Sequence, residues 1–390
     1  MENRIKIGLI FLGPYPQGNV STLRIHSYCR ALVRSGYFVK VYLIAPTNDA
    51  AVNNEKKGVY EGVQYEYVTK ITWSSQNPTL LIKVFYYLYG IGKTMILLRK
   101  DKIHIVLSYH TQLLSNLCFW FFSRIRKNPF ILDKTEFPSS FSKSENFWSK
   151  ILLFEYKLFD GIVVISQELE KFYRKVNRRI FLLPMTIDPE RFGSRSKKKV
   201  KDPYIAVLFG RHNRDGVFDS VKAYHKYLEM QPTSPWLLQL IGDFNYLEDR
   251  HEIKDYIRVN NLDQKVIITG MVNNSDIPQY LLDASCLMTT PQHFNSGGFP
   301  TKLGEYMLSG TPVVVTSAGE IPLYVKHGED VLLSEPGDIK NIASNLIQVQ
   351  RDPDAAKKMG ECAQKKAKTI FNAETYIEPF LNFIKSSNFE

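Results

Sequence analysis

A chain of 390 residues with 44% hydrophobic content has material for two domains that each bury a core, and it is too apolar to be disordered. The net charge of +11 sits wholly in one half: residues 1–190 carry 26 Lys+Arg against 15 Asp+Glu, whereas 191–390 carry 24 of each. Four scattered cysteines (Cys29, Cys118, Cys286, Cys362) form no CxxC pair and have no histidine companions, which argues against a disulfide framework or a metal site and for a reduced, cytosolic chain.

The N-terminal run IKIGLIFLG reads as a buried strand, too short and too soon broken by Pro14 for a signal peptide. The loop from Gly13 to Ser21 then leads into the helical stretch TLRIHSYCRALVRSG. That loop lacks G-x-G-x-x-G, which argues against a nicotinamide dehydrogenase. Apolar runs FVKVYLIA, IHIVLSYH, FILDKT and GIVVISQ come next, with helical material between them. Two helical stretches, Thr79–Lys100 and Leu113–Lys127, combine apolar clusters with flanking cations. Neither reaches the roughly 18–20 uninterrupted apolar residues of a membrane span. A basic amphipathic surface of this kind suits a membrane interface; ordinary layer helices packed on a sheet are the plain alternative.

The polar, basic segment from Phe192 to Pro203 reads as a linker. Beyond it the rhythm repeats in YIAVLFG, WLLQLIGD, KVIITG, CLMTTP and TPVVVTS. Short apolar runs joined by helical crossovers predict parallel sheets covered on both faces, with ligands bound at the carboxyl ends of the strands. The expected fold class is therefore α/β, with two Rossmann-like doubly wound parallel-sheet domains over 1–190 and 191–372. The last helical stretch, NAETYIEPFLNFIKS, falls in 373–390.

Chemistry concentrates between Cys286 and Thr316. There a strand, a Gly-rich loop, one short helix and a second strand occur in order. Pro300-Thr301 opens the helix, and Gly310 with Pro312 closes it. Gly297 and Gly298 let the backbone pass close to a ligand, and a helix start offers unpaired N–H groups to an anion. Lys302 adds a positive charge, and Glu305 lies on nearly the same helical face. Taken singly, Lys302 reads as a surface lysine and Glu305 as a cap. With Thr301 as N-cap, however, the capping-box position is Gly304. Together they suit a sugar nucleotide: lysine and N–H groups for the diphosphate, a carboxylate for two ribose hydroxyls.

This block resembles the donor-binding segment of family 4 retaining glycosyltransferases of the GT-B fold. The family pattern has a glutamate, seven residues, a second glutamate, and a helix ending in Gly-x-Pro-Val-Val. Phe299, Glu305, Gly310, Pro312, Val313 and Val314 fall in register, while Gly297 stands where the first glutamate would be. The resemblance implies donor contacts from Gly298, Phe299, Thr301, Lys302, Leu303 and Glu305, and two domains facing across a cleft. The stretch LFGRHNRDG resembles the family's diphosphate clamp, with Arg211 matching its arginine. The family lysine is missing and Arg214 is the nearest cation, in a loop one residue short. Gly18 matches a glycine beside the donor, or is a plain turn residue. Met271 and Val272 lie in a base-contacting segment, and LPMTIDPERF resembles the inter-domain hinge. His110, ending its strand, matches a histidine near the transferred sugar. Glu136, at another strand end, either binds the acceptor or caps the next segment of chain.

These readings make the chain a nucleotide-sugar-dependent hexosyltransferase. His110, Arg211, Lys302 and Glu305 would serve catalysis, with no cofactor or metal. The implied partners are the nucleotide-sugar donor, a glycan or lipid-linked acceptor and an anionic membrane surface; nucleic acid is not among them. The implied setting is bacterial cell-surface polysaccharide or glycolipid assembly, in the cytoplasm or at the inner membrane face. A non-catalytic sugar-nucleotide or glycan binder and a GT-B sugar-nucleotide epimerase are the competing readings. The last helix would cross back to the first domain, as in the family.

Overall fold

Short β-branched runs bounded by glycine and proline become fourteen strands in the computed structural model, which describes residues 5–47, 52–72, 78–109, 111–138, 153–210, 214–294, 297 and 299–386. The first sheet holds β1 (Lys6–Phe11), β2 (Phe38–Leu43), β3 (Lys57–Tyr60), β4 (Val63–Tyr67), β5 (Ile105–Tyr109), β6 (Phe130–Lys134), β7 (Gly161–Val164) and β8 (Ile180–Leu182). Their spatial order is β3-β4-β2-β1-β5-β6-β7-β8, parallel throughout except for the β3–β4 hairpin. That hairpin turns through Glu61 and Gly62, both at positive φ, as a two-residue loop between twisted strands requires. The second sheet holds β9 (Tyr204–Leu208), β10 (Leu237–Ile241), β11 (Val266–Gly270), β12 (Cys286–Thr289), β13 (Val313–Thr316) and β14 (Leu332–Ser334). Its order is β11-β10-β9-β12-β13-β14, with every pairing parallel.

Both sheets are therefore doubly wound. Strand order reverses between β1 and β5 in one and between β9 and β12 in the other, and such switch points leave a crevice at the carboxyl ends. One compact unit comprises residues up to Ile187 together with Gly297 and Ala373 onward, and the other spans Asp188 to Asn372 apart from that glycine. The C-terminal helix Ile377–Lys385 thus belongs to the first unit, where Ile377, Phe380, Leu381 and Ile384 join its core.

In the first unit Asn19 caps the helix Val20–Arg34 by accepting the Ser21 and Thr22 N–H groups. That helix buries Arg24 beneath the sheet. Its guanidinium donates to both Asp133 carboxylate oxygens and to the carbonyls of Leu183 and Pro184, so a charge 1% exposed is fully spent on partners.

Two further helices of this unit, Leu80–Lys100 and Leu113–Arg126, touch through a Tyr87 hydroxyl donating to Ser115 Oγ at 2.9 Å. The 80–100 helix is long and apolar enough to cross a membrane, a property that scattered cations hid from a count of uninterrupted apolar residues. It is nevertheless docked along its second half. Gly90, Ile91, Thr94, Leu97 and Leu98 are buried, and a Cβ added at Gly90 would lie 1.7 Å from the Ile44 carbonyl oxygen.

Candidate functional site

At the switch point of the second sheet, the loops leaving β9 and β12 are stitched together. Gly216 starts the helix Val217–Met230 at φ +68°, and a Cβ there would come within 1.8 Å of the Thr290 carbonyl oxygen. Only glycine fits. The Thr290 hydroxyl donates to the Gly216 carbonyl at 2.6 Å, and Gln292 donates to Asp219 at 2.7 Å.

The helix Thr301–Ser309 is pinned over the same two strands by one buried side chain. The Tyr306 hydroxyl accepts the Leu208 N–H at 2.7 Å and donates to the Met288 carbonyl at 3.4 Å. Burial holds this phenol neutral by pushing its pKa well above the ordinary range. Pro300, rather than Thr301, is the N-cap, and no side chain caps the helix start. Leu303 donates its N–H to the Pro300 carbonyl, leaving the N–H groups of Thr301 and Lys302 without intrahelical partners. With the cap moved to Pro300 the capping-box position becomes Leu303, so Glu305 still has no capping role.

Lys302 is not the lone cation its position in the sequence implies. Its ammonium donates to Asp215 Oδ1 at 2.7 Å, and Asp215 Oδ2 accepts the Gly210 N–H at 2.8 Å. One carboxylate therefore bridges the Gly210 amide and the Lys302 ammonium. Glu305, 12% exposed, is paired in turn with Arg191, whose Nε lies 2.5 Å from Oε1. Sequence reasoning passed over Asp215 and gave Arg191 only a hinge role. The Asp-Gly that opens the 217–230 helix and the arginine of DPERF were the available signals.

The structure brings Lys302, Glu305, Arg191, Asp215 and Gly210 into the second unit, with Arg214 beside Asp215 in the same loop. The Phe299 ring packs on Tyr324 and Phe371, and Leu303 is fully buried, so both side chains are committed to the core and only their backbone is available. Met271 is exposed and Val272 half-buried after β11. Gly18 and Glu136 belong to the first unit. A Cβ on Gly18 would lie 2.1 Å from Thr22 Oγ1, which is itself bonded to the Pro14 carbonyl, so its glycine has a local packing cause. The Glu136 carbonyl accepts the Tyr173 hydroxyl at 3.2 Å. His110, Arg211 and Gly298 lie outside the described residues.

Residues 167–366, just over half of the chain, match the family model described as Glycosyl transferases group 1. The chain belongs to the glycosyl transferases group 1 family. Sucrose-phosphate synthase (tll1590) from Thermosynechococcus elongatus shares its fold with a TM-score of 0.73 at 17% identity, over 98% of this chain and 99% of that one. Anabaena Alr3699/HepE in complex with UDP-glucose does so with a TM-score of 0.70 at 16% identity, over 98% and 100%. The fold of this group 1 chain is thus the two-unit parallel-sheet architecture of GT-B glycosyltransferases. Among curated proteins, the 2-deoxystreptamine N-acetyl-D-glucosaminyltransferase of Niallia circulans is 24% identical over 155 residues, 38% of this chain. Those residues span 39% of that relative's length.

Proposed function

We propose that this protein is a retaining glycosyltransferase that moves a hexose from a nucleoside-diphosphate donor to a hydroxyl acceptor. One observation carries the reading: an uncapped helix start, Lys302 and Glu305 converge where the second sheet reverses its strand order, the place where doubly wound folds bind ligands. The capture of a fold relative with UDP-glucose supports a UDP-sugar as donor.

Breaking the bond between the sugar and the diphosphate builds negative charge on the leaving oxygen. Lys302 has three ammonium donors and gives one to Asp215, so two remain for the phosphates beside the Thr301 and Lys302 N–H groups. Arg211, by the family resemblance, adds a guanidinium. Glu305 accepts ribose hydroxyls. The acceptor oxygen forms its new bond on the face the diphosphate leaves, its proton passing to the departing phosphate. Charge balance then rests on side chains and amides, and no metal is assigned a part. In this reading His110 serves beside the transferred sugar and Glu136 binds the acceptor.

The test is incubation with UDP-hexoses, with and without candidate glycan acceptors. Acceptor-dependent nucleotide release with retained anomeric configuration by NMR is expected. Release without any acceptor would instead mark the epimerase reading, and binding without turnover the non-catalytic one.

The first unit supports a second part of the proposal, docking on an anionic membrane as part of cell-surface polysaccharide or glycolipid assembly at the inner membrane face. Thirteen of the 24 exposed large hydrophobics among the described residues lie on the 80–100 and 113–126 helices, with Leu81 82% and Phe121 62% exposed. Neither helix contains an acidic residue, while Lys83, Lys93, Arg99, Lys100 and Arg126 supply positive charge; Arg124 is paired with Asp160 at 2.8 Å. Apolar side chains fringed by cations match a lipid interface of opposite charge, each unpaired cation contributing about 1 kcal/mol near such a surface. The protein should float with vesicles containing phosphatidylglycerol and much less with pure phosphatidylcholine. Replacing Phe85 and Phe121 by Asp should cut recovery at least about tenfold. Equal recovery of that double variant would refute the docking face.

A further inference from the structure

We infer that Arg191 is a positioning residue for nucleotide recognition: it holds the Glu305 carboxylate ready for the ribose and ties it to the segment after β11. This rests on the donor reading of Glu305. Arg191 sits in the 3₁₀ turn Pro189–Phe192, which Pro189 opens and the Asp188 side chain caps. Its Nη2 donates to Asn274 Oδ1 at 2.8 Å and to the Asn274 carbonyl at 3.4 Å, while its Nε faces Glu305. Nearby, Arg195 donates to the Ser275 carbonyl at 3.2 Å, so the same stretch of chain grips two successive residues of that segment. One guanidinium thereby spans from the 301–309 helix to the residues just beyond Met271 and Val272.

The geometry of the ion pair points to a ligand. Arg191 Nε and Glu305 Oε1 are both buried and close, yet misaligned, and neither completes a hydrogen bond. Buried polar atoms normally find a directional partner. Attraction between the charges holds the Glu305 carboxylate in place, while the Oε1 bonding capacity stays unspent. A vicinal diol supplies donors for that carboxylate without requiring Arg191 to leave. Because Arg191 also holds Asn274, its loss would loosen the ribose anchor and the 271–275 segment together. An arginine serving only to steady the fold would have no reason to affect recognition of a single hydroxyl.

The experiment measures calorimetric affinity for the most tightly bound of UDP, GDP and ADP, and for its 2′-deoxy analogue. Wild type, E305Q, R191M, R191K and N274A are compared. Wild type should prefer the ribonucleotide by about tenfold or more, the worth of a hydrogen bond to a charged group. E305Q and R191M should both collapse that preference, R191K should restore part of it, and N274A should reduce affinity without abolishing the preference. In steady state R191M should raise the donor KM with a smaller change in kcat. If E305Q loses the preference while R191M and R191K keep it in full, Arg191 is not a positioning residue, although the donor reading stands. If E305Q keeps the preference, both readings fall. Should R191M not fold, R191K decides the matter by the same ratio, since a full preference there would overturn the positioning role.

Discussion

Replacing Lys302 by Met should lower sugar transfer about 100- to 1,000-fold, the usual consequence of removing one preorganised donor from developing negative charge, equivalent to roughly 3–4 kcal/mol. Two effects combine. The leaving diphosphate loses a cation at the second residue of an uncapped helix, where backbone N–H groups already favour an anion. Asp215 loses its partner as well, and a carboxylate 13% exposed then faces the phosphates uncompensated. D215N alone should cost less, since it removes a competitor for both the lysine and the Gly210 N–H. The double variant K302M/D215N should therefore be more active than K302M. Steady-state nucleotide release checks all three. A K302M enzyme within about threefold of wild type would show that the lysine only holds its loop.

Restoring the glutamate of the resembled family pattern by Gly297→Glu should damage the protein rather than improve catalysis. Gly297 has φ +68°, where a residue with a Cβ costs about 1–2 kcal/mol. The new Cβ would also come within 2.7 Å of the Phe137 ring and 2.9 Å of Leu169 in the first unit, adding about 1–3 kcal/mol of overpacking. The Gly297 carbonyl accepts the Ser166 hydroxyl, so the backbone cannot relax without breaking that bond. Together these lower the melting temperature by roughly 5–15 °C. An unchanged melting curve with faster transfer would mean that the glycine is merely a lost contact. On the present geometry the glycine is required by its backbone and its neighbours.

Much of the fold was legible because the strands are fully buried apolar runs. IKIGLIFLG, YIAVLFG, CLMTTP and TPVVVTS became β1, β9, β12 and β13, and two parallel doubly wound sheets resulted from their spacing. The strands passed over were short or half-exposed. β8 and β14 have three residues each, and in β4 the VQYEY alternation, buried at every second position, was the available signal. The block around Lys302 and Glu305 was readable because glycine, proline and the helix boundary sit close together in sequence. Its counter-charges were not. Asp215 precedes Lys302 by 87 residues, and Arg191 lies in a turn well before Glu305. Such pairs form only when β9 and β12 become neighbours, which no local pattern encodes. Phe299 is a motif position whose side chain serves the aromatic core beside Tyr324 and Phe371.

In the proposed reading, the cradle of Gly210, Asp215 and Lys302 holds a diphosphate attached to a nucleoside. Calorimetric titration of wild type and K302M with the preferred ribonucleoside diphosphate and with its bare nucleoside tests this directly. The diphosphate should bind wild type at least about 100-fold more tightly than the nucleoside, and K302M should erase most of that gap without weakening the nucleoside. A gap that survives K302M intact, or no gap in wild type, would contradict the account.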